Sequence, residues 1–136
     1  MQNELLKDVI TLHTTASALT ATTAGSGILV HPFRSGMLYL RPETVSGTSP
    51  SLLYKIETSP DNTNWFHCAI LIDKDTTGSL TRTTSPTTTN EYKVTSSAYT
   101  HMCQVDNMAR YIRTNAVIDG TSPSFAIEAK LVLYGG

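Results

Sequence analysis

Charge is scarce in this chain. Ten Lys and Arg stand against eleven Asp and Glu in 136 residues, which is 15% of the whole and a formal net charge of −1. Soluble domains usually carry charge on about a quarter of their residues. The basic residues Arg41, Lys55, Lys93, Arg110 and Arg113 are scattered among acids, so no cationic stripe offers itself to nucleic acid or to an anionic membrane. Long apolar runs are missing too, and nothing approaches the ~20 residues that a membrane-spanning helix needs. The opening Met1-Gln2-Asn3-Glu4 lacks the basic start and apolar core of a secretory leader, and no Asn-x-Ser/Thr sequon occurs. The two cysteines, Cys68 and Cys103, could make one bridge, but in a chain without a leader two buried thiols are expected. Synthesis in a cytoplasm is the matching expectation.

What the chain has in quantity is hydroxyl: 22 Thr and 13 Ser, a quarter of its residues. Thr favours strands through its branched Cβ, and both residues suit turns and wet surfaces. A neutral, hydroxyl-rich surface also suits contact with another protein, because few charges must be desolvated. With 40% hydrophobic residues, the chain has enough apolar side chains to build one core.

The strongest pattern is a phrase used twice. Ser46-Gly47-Thr48-Ser49-Pro50-Ser51 returns 73 positions later as Asp119-Gly120-Thr121-Ser122-Pro123-Ser124. Each copy follows an apolar run, Met37 to Leu40 or Tyr111-Ile112, and leads into an alternating one. Leu52, Tyr54 and Ile56 superimpose on Phe125, Ile127 and Ala129, while Lys55 and Glu57 fall on Glu128 and Lys130. Strand side chains repeat every two residues, so apolar groups take one face and charges the other. This predicts two similar β-hairpins, with Pro50 and Pro123 at strand starts where no ladder donor is lost.

Further strands are predicted over 9–15, 28–33, 37–41, 52–58, 65–72, 91–95, 100–105, 110–116 and 124–134, with a loop over 16–27. Ser59-Pro60-Asp61-Asn62-Thr63-Asn64 is a dense turn signal, with Asn62 suited to positive φ. No segment sustains a 3.6-residue apolar period. The expected fold is all-β: a single antiparallel β-sandwich or jelly-roll-like domain of about eight or nine strands over residues 8–136, preceded by an N-terminal arm of residues 1–7. The Thr-rich stretch 73–90 is the longest irregular one, and loops of that length are usually functional or mobile.

The residues offer no clear chemistry. His67-Cys68 and His101-x-Cys103 could supply metal ligands, but 67 and 68 point to opposite faces of a strand, so four donors do not converge; no metal is expected. No Gly-x-Ser-x-Gly elbow, Walker loop or dinucleotide fingerprint is present, and the carboxylates lie in turns or on polar strand faces. No catalytic residue and no cofactor is expected. Trp65 with Tyr39, Tyr54, Tyr92, Tyr99, Tyr111 and Tyr134 could stack on a sugar, whereas the simpler role for Trp65 is a hydrophobic plug beside its turn.

The pattern Ser59-x-Asp61-x-Thr63-Asn64-Trp65 resembles a turn common in small β-sandwich structural proteins of tailed bacteriophages. The final stretch, Ala109 to Arg113, Gly120 to Phe125 and Leu131 to Gly136, looks like their last hairpin; Phe33 to Leu38 and the Ala/Thr-rich opening are also similar. Asn62 stands where Gly is usual. The resemblance implies a non-enzymatic virion protein, made in the bacterial host's cytoplasm, that decorates the capsid as a cement. Its partners would be the major capsid protein and copies of itself, as trimers. Neck, tail or fibre-associated roles, or a glycan-binding module, are the alternatives. Leu5 and Leu6 in the arm and Thr83, Thr84 and Pro86 in the long loop are the expected contacts.

Overall fold

The computed structural model describes residues 7–70, 94–97 and 100–135. Seven strands, all antiparallel, form one sheet that curls into a half-barrel, and the described residues contain no helix. They are β1 (Lys7–His13), β2 (Thr23–Ala24), β3 (Ile28–Leu29), β4 (Ser35–Ser59), β5 (Phe66–Ile70), β6 (His101–Val105) and β7 (Tyr111–Tyr134).

The repeated phrases do not make two hairpins. The chain runs straight through each of them, so four of the expected strands fuse into two, β4 of 25 residues and β7 of 24. These two pair with each other from Ser35↔Tyr134 to Ser59↔Tyr111, and the two phrases meet in the middle. Thr48 faces Thr121, with Ser46↔Ser124 on one side and Ser51↔Asp119 on the other. The register slips on both sides of the Thr48–Thr121 pair. Gly47 and Gly120 have φ of 110° and 117°, and Ser49 and Ser122 have 49° and 48°. Two positive-φ residues per phrase kink the strand without reversing it, as β-bulges do. Pro50 and Pro123 thus lie inside bulges at mid-strand rather than at strand starts, and they fit because a bulge leaves a backbone donor outside the ladder.

An approximate two-fold axis therefore passes between Thr48 and Thr121, and the flanking strands obey it. β3 precedes β4 and pairs with the first half of β7, Ile28 facing Ile112; β6 precedes β7 and pairs with the first half of β4, His101 facing Leu40. β5 lies against the second half of β4, and β1 against the second half of β7. Two wings result. One contains β1, residues 125–134 of β7, residues 35–45 of β4, and β6. The other contains β2 and β3, residues 111–118 of β7, residues 52–59 of β4, and β5.

Their inner faces share one core. Leu38, Leu40, Ile127, Ala129, Leu131 and Leu133 enter from the first wing, and Leu52, Tyr54, Ile56, Ile112 and Ala116 from the second. Leu52, Tyr54, Ile56, Ile127 and Ala129 among them are alternating positions that the sequence marks as apolar. Strand 28–33 is shorter than expected, ending at Leu29, while the return strand after the Asp61 turn is found as β5. In that turn Asn62 takes φ 62°. Asp61 Oδ1 accepts from the Thr63 and Asn64 amides at 3.0 and 2.8 Å and from Ser59 Oγ at 3.0 Å, and Oδ2 accepts from Asn64 Nδ2 at 2.8 Å. These donors hold the carboxyl well below the usual carboxylate range, the Asn64 amide contributing most. This explains why Ser, Asp, Thr and Asn occur at these spacings: they are the ligands of one folded turn. Asp61→Ala lowers the melting temperature at neutral pH. The wild-type advantage persists above pH 4 and is lost on acidification below it, as calorimetry across pH will report.

Candidate interaction surface

The two outer faces differ, although the frame beneath them is nearly symmetric. On the second wing, three neighbouring strands place His67, Glu57 and Arg113 in a row. Arg113 Nε donates to Glu57 Oε1 at 2.8 Å, and His67 Nδ1 lies 4.0 Å from Glu57 Oε2. The Arg113 guanidinium also sits over the Trp65 ring, 4.4 Å from its centre. Gly27 packs close to Asn62 and the same indole. One face of the Trp65 ring is therefore covered by a cation of the chain itself. Glu57 is buried with its charge matched, while Leu29 and Phe66 on the same wing stand 58% and 59% exposed as separate apolar side chains on β3 and β5.

On the first wing, Val9 and Thr11 alternate with Ile10 and Leu12, which pack against the core, and so point outward. Val9 stands beside Val132, and Val132 beside Met37; Thr11 stands beside Lys130, Lys130 beside Tyr39, and Tyr39 beside Met102. Val9, Tyr39 and Met102 are 56%, 43% and 60% exposed. Arg41, paired with Glu43 at 3.2 Å and with Glu128 at 3.5 Å, bounds this apolar face toward the middle of the long strands. Those pairs are about half exposed and worth at most ~1 kcal/mol each. An open apolar face on a rigid sheet binds by excluding water and fits another protein surface.

The residues expected to make contacts, Leu5, Leu6, Thr83, Thr84 and Pro86, lie outside the described residues, as do the 73–90 loop, Tyr92 and Tyr99. Of the other tyrosines, Tyr54 is fully buried, Tyr111 and Tyr134 are half-buried, and Tyr39 is exposed, so the described tyrosines do not share one exposed surface. Cys68 and Cys103 are buried thiols, the Cys68 thiol donating to the Asp106 carbonyl at 2.9 Å. Among the described residues no three His, Cys, Asp or Glu side chains come together as a metal-holding group.

Sequence reasoning missed Val9, Met37, Tyr39, Met102 and Val132 as a unit. The available signal was Met37-Leu38-Tyr39-Leu40, where apolar residues fill both parities of an antiparallel strand. One parity must then face away from the core.

No protein-family model matches the chain, and no curated protein sequence matches it significantly. Among solved structures, three chains match. One is the crystal structure of the SPBc2 prophage-derived protein YomS, with a TM-score of 0.52 and 20% identity over 99% of this chain and 98% of that one. The chain is thus similar to YomS in fold from one end to the other.

Proposed function

We propose that this chain is a structural protein of a tailed-phage virion, without catalytic activity, that works by binding other proteins. The observation that carries this reading is the open apolar face of the first wing, on a fold shared over its full length with a prophage-derived protein. In the specific form we favour, it decorates the outer surface of the capsid and reinforces contacts between shell subunits. Many weakly charged contacts repeated over a lattice give high occupancy from modest single affinities. The arm before β1, with Leu5 and Leu6, and the Thr83–Pro86 region add contacts to the shell protein. The chain is made in the bacterial host cytoplasm and resides on the virion.

Particles assembled without the protein, then incubated with it, test this. Full-length protein is expected to saturate the capsid surface by cryo-electron microscopy. Removing residues 1–6, which leaves β1 whole, is expected to lower occupancy several-fold without changing the melting temperature. Density at the neck or tail instead would assign the protein there, and equal occupancy after truncation would remove the arm from the interface. A neck or tail subunit is the second reading, since it would use the same open face. Glycan binding is disfavoured by the Arg113–Trp65 stack, and a glycan array is expected to stay silent.

A further inference from the structure

We infer that the free edge of β1 is a self-pairing surface, taken by β1 of a second copy in an antiparallel arrangement whose two-fold axis passes beside Val9. Among the described residues β1 ends the sheet and is joined on one side only, to β7. The Val9 amide donates to its own neighbour, Asp8 Oδ1, at 2.8 Å, so it turns away from β7 and toward the open edge. Backbone groups of alternate residues turn the same way in an antiparallel ladder, which sends the amides and carbonyls of residues 7, 9 and 11 outward together.

The length of this edge selects its partner. Regular pairing runs from Lys7 to Thr11 and breaks at a bulge before His13. Those five residues are centred on Val9. A two-fold axis there sets Val9 against Val9, residue 7 against Thr11 and Asp8 against Ile10, so each outward donor meets an outward carbonyl. Centring on Asp8 would oppose two carboxylates, and centring on Ile10 would run into the bulge. The side chains agree with the backbone. Val9 is exposed on the outer face, and the row Met37–Val132–Val9 of one copy continues into Val9–Val132–Met37 of the other. An exposed edge with an apolar residue at its centre is a pairing template unless it is guarded. Asp8 is the guard: its carboxylate holds the Val9 donor until a partner carbonyl displaces it.

This contact does not rest on the capsid reading, and it makes self-association two-fold rather than three-fold. Sedimentation of the full chain is expected to show a monomer–dimer equilibrium. Asp8→Ala is expected to tighten it about threefold or more. Val9→Pro, which removes the outward donor and leaves the bonds to β7 intact, is expected to give a folded monomer. The register is tested by Val9→Cys. Paired Cα atoms about 5.5 Å apart lie within disulfide range, so oxidation links two copies. In Thr11→Cys the same atoms would be roughly 14 Å apart and do not link. The wild type, with Cys68 and Cys103 buried, supplies the background. A monomeric mass at every concentration, a trimeric mass, or equal cross-linking at 9 and 11 would overturn the proposal. Particle occupancy is read separately, so either idea can fail alone.

Discussion

Gly47→Ala is expected to remove about 3 kcal/mol of folding stability, and Gly120→Ala about the same. Both positions hold positive φ, near 110° and 117°, where an L side chain is strained. Both also face backbone that cannot swing aside. A Cβ on Gly47 would stand 2.6 Å from the Ser122 carbonyl oxygen and 2.9 Å from Pro123 Cα and the Thr121 carbonyl oxygen. One on Gly120 would stand 2.7 Å from the Ser49 carbonyl oxygen and 3.0 Å from Pro50 Cα and the Thr48 carbonyl oxygen. The clashing atoms correspond residue for residue, which is why the costs should match within roughly 0.5 kcal/mol, about the scatter seen between independent sites. Urea unfolding will measure this, and each loss corresponds to roughly 10 °C in melting temperature. Gly135→Ala is the control: φ there is 80°, but nothing lies within 4 Å, so only strain of about 1 kcal/mol applies. A neutral result at one central glycine and a large loss at the other would refute the equivalence of the two phrases.

Tyr54→Ala is expected to cost about 4 kcal/mol, the middle of the range for emptying an aromatic site in a core. Tyr54 is fully buried in the second wing and hydrogen-bonds His13 Nδ1 at 2.8 Å, the two rings meeting edge to face. It thereby ties the end of β1 to the other half of the molecule. Tyr54→Phe isolates the hydroxyl and is expected to cost about 1–2 kcal/mol, with faster amide exchange in β1 while the rest of the sheet stays protected. Burial pushes the Tyr54 hydroxyl well above the ordinary tyrosine range, so it stays protonated through neutral and mildly alkaline pH. Burial lowers the His13 pKa below its ordinary 6.5. The unfolded chain therefore takes up that proton first, and stability falls as pH drops below about 6.5 toward the lower folded value. His13→Gln is expected to flatten that part of the pH profile; an unchanged slope would assign it to other groups.

The Asp61 turn was legible in the sequence because its ligands all lie within six residues, Ser59 to Asn64. The core was legible for a similar reason, since Leu52, Tyr54 and Ile56 announce their shared face by alternation alone. The open face of the first wing was harder to see. It draws Val9, Met37, Tyr39, Met102 and Val132 from four strands, and each looks like an ordinary core residue in its own segment. The opposite face hid its own answer, because no local pattern says that Arg113 will cover Trp65 from a strand almost fifty positions away.

Alternation, hydroxyl content and turn residues were enough by themselves to make the chain all-β and to choose which side chains point inward. They also revealed that one phrase occurs twice. Only the tertiary structure decided that the two copies pair with each other instead of each turning back on itself. A strand's alternation names the face a residue occupies but not the neighbour that will fill its hydrogen bonds. That neighbour, some seventy residues away, is selected only when both long strands bury their apolar sides in one common core.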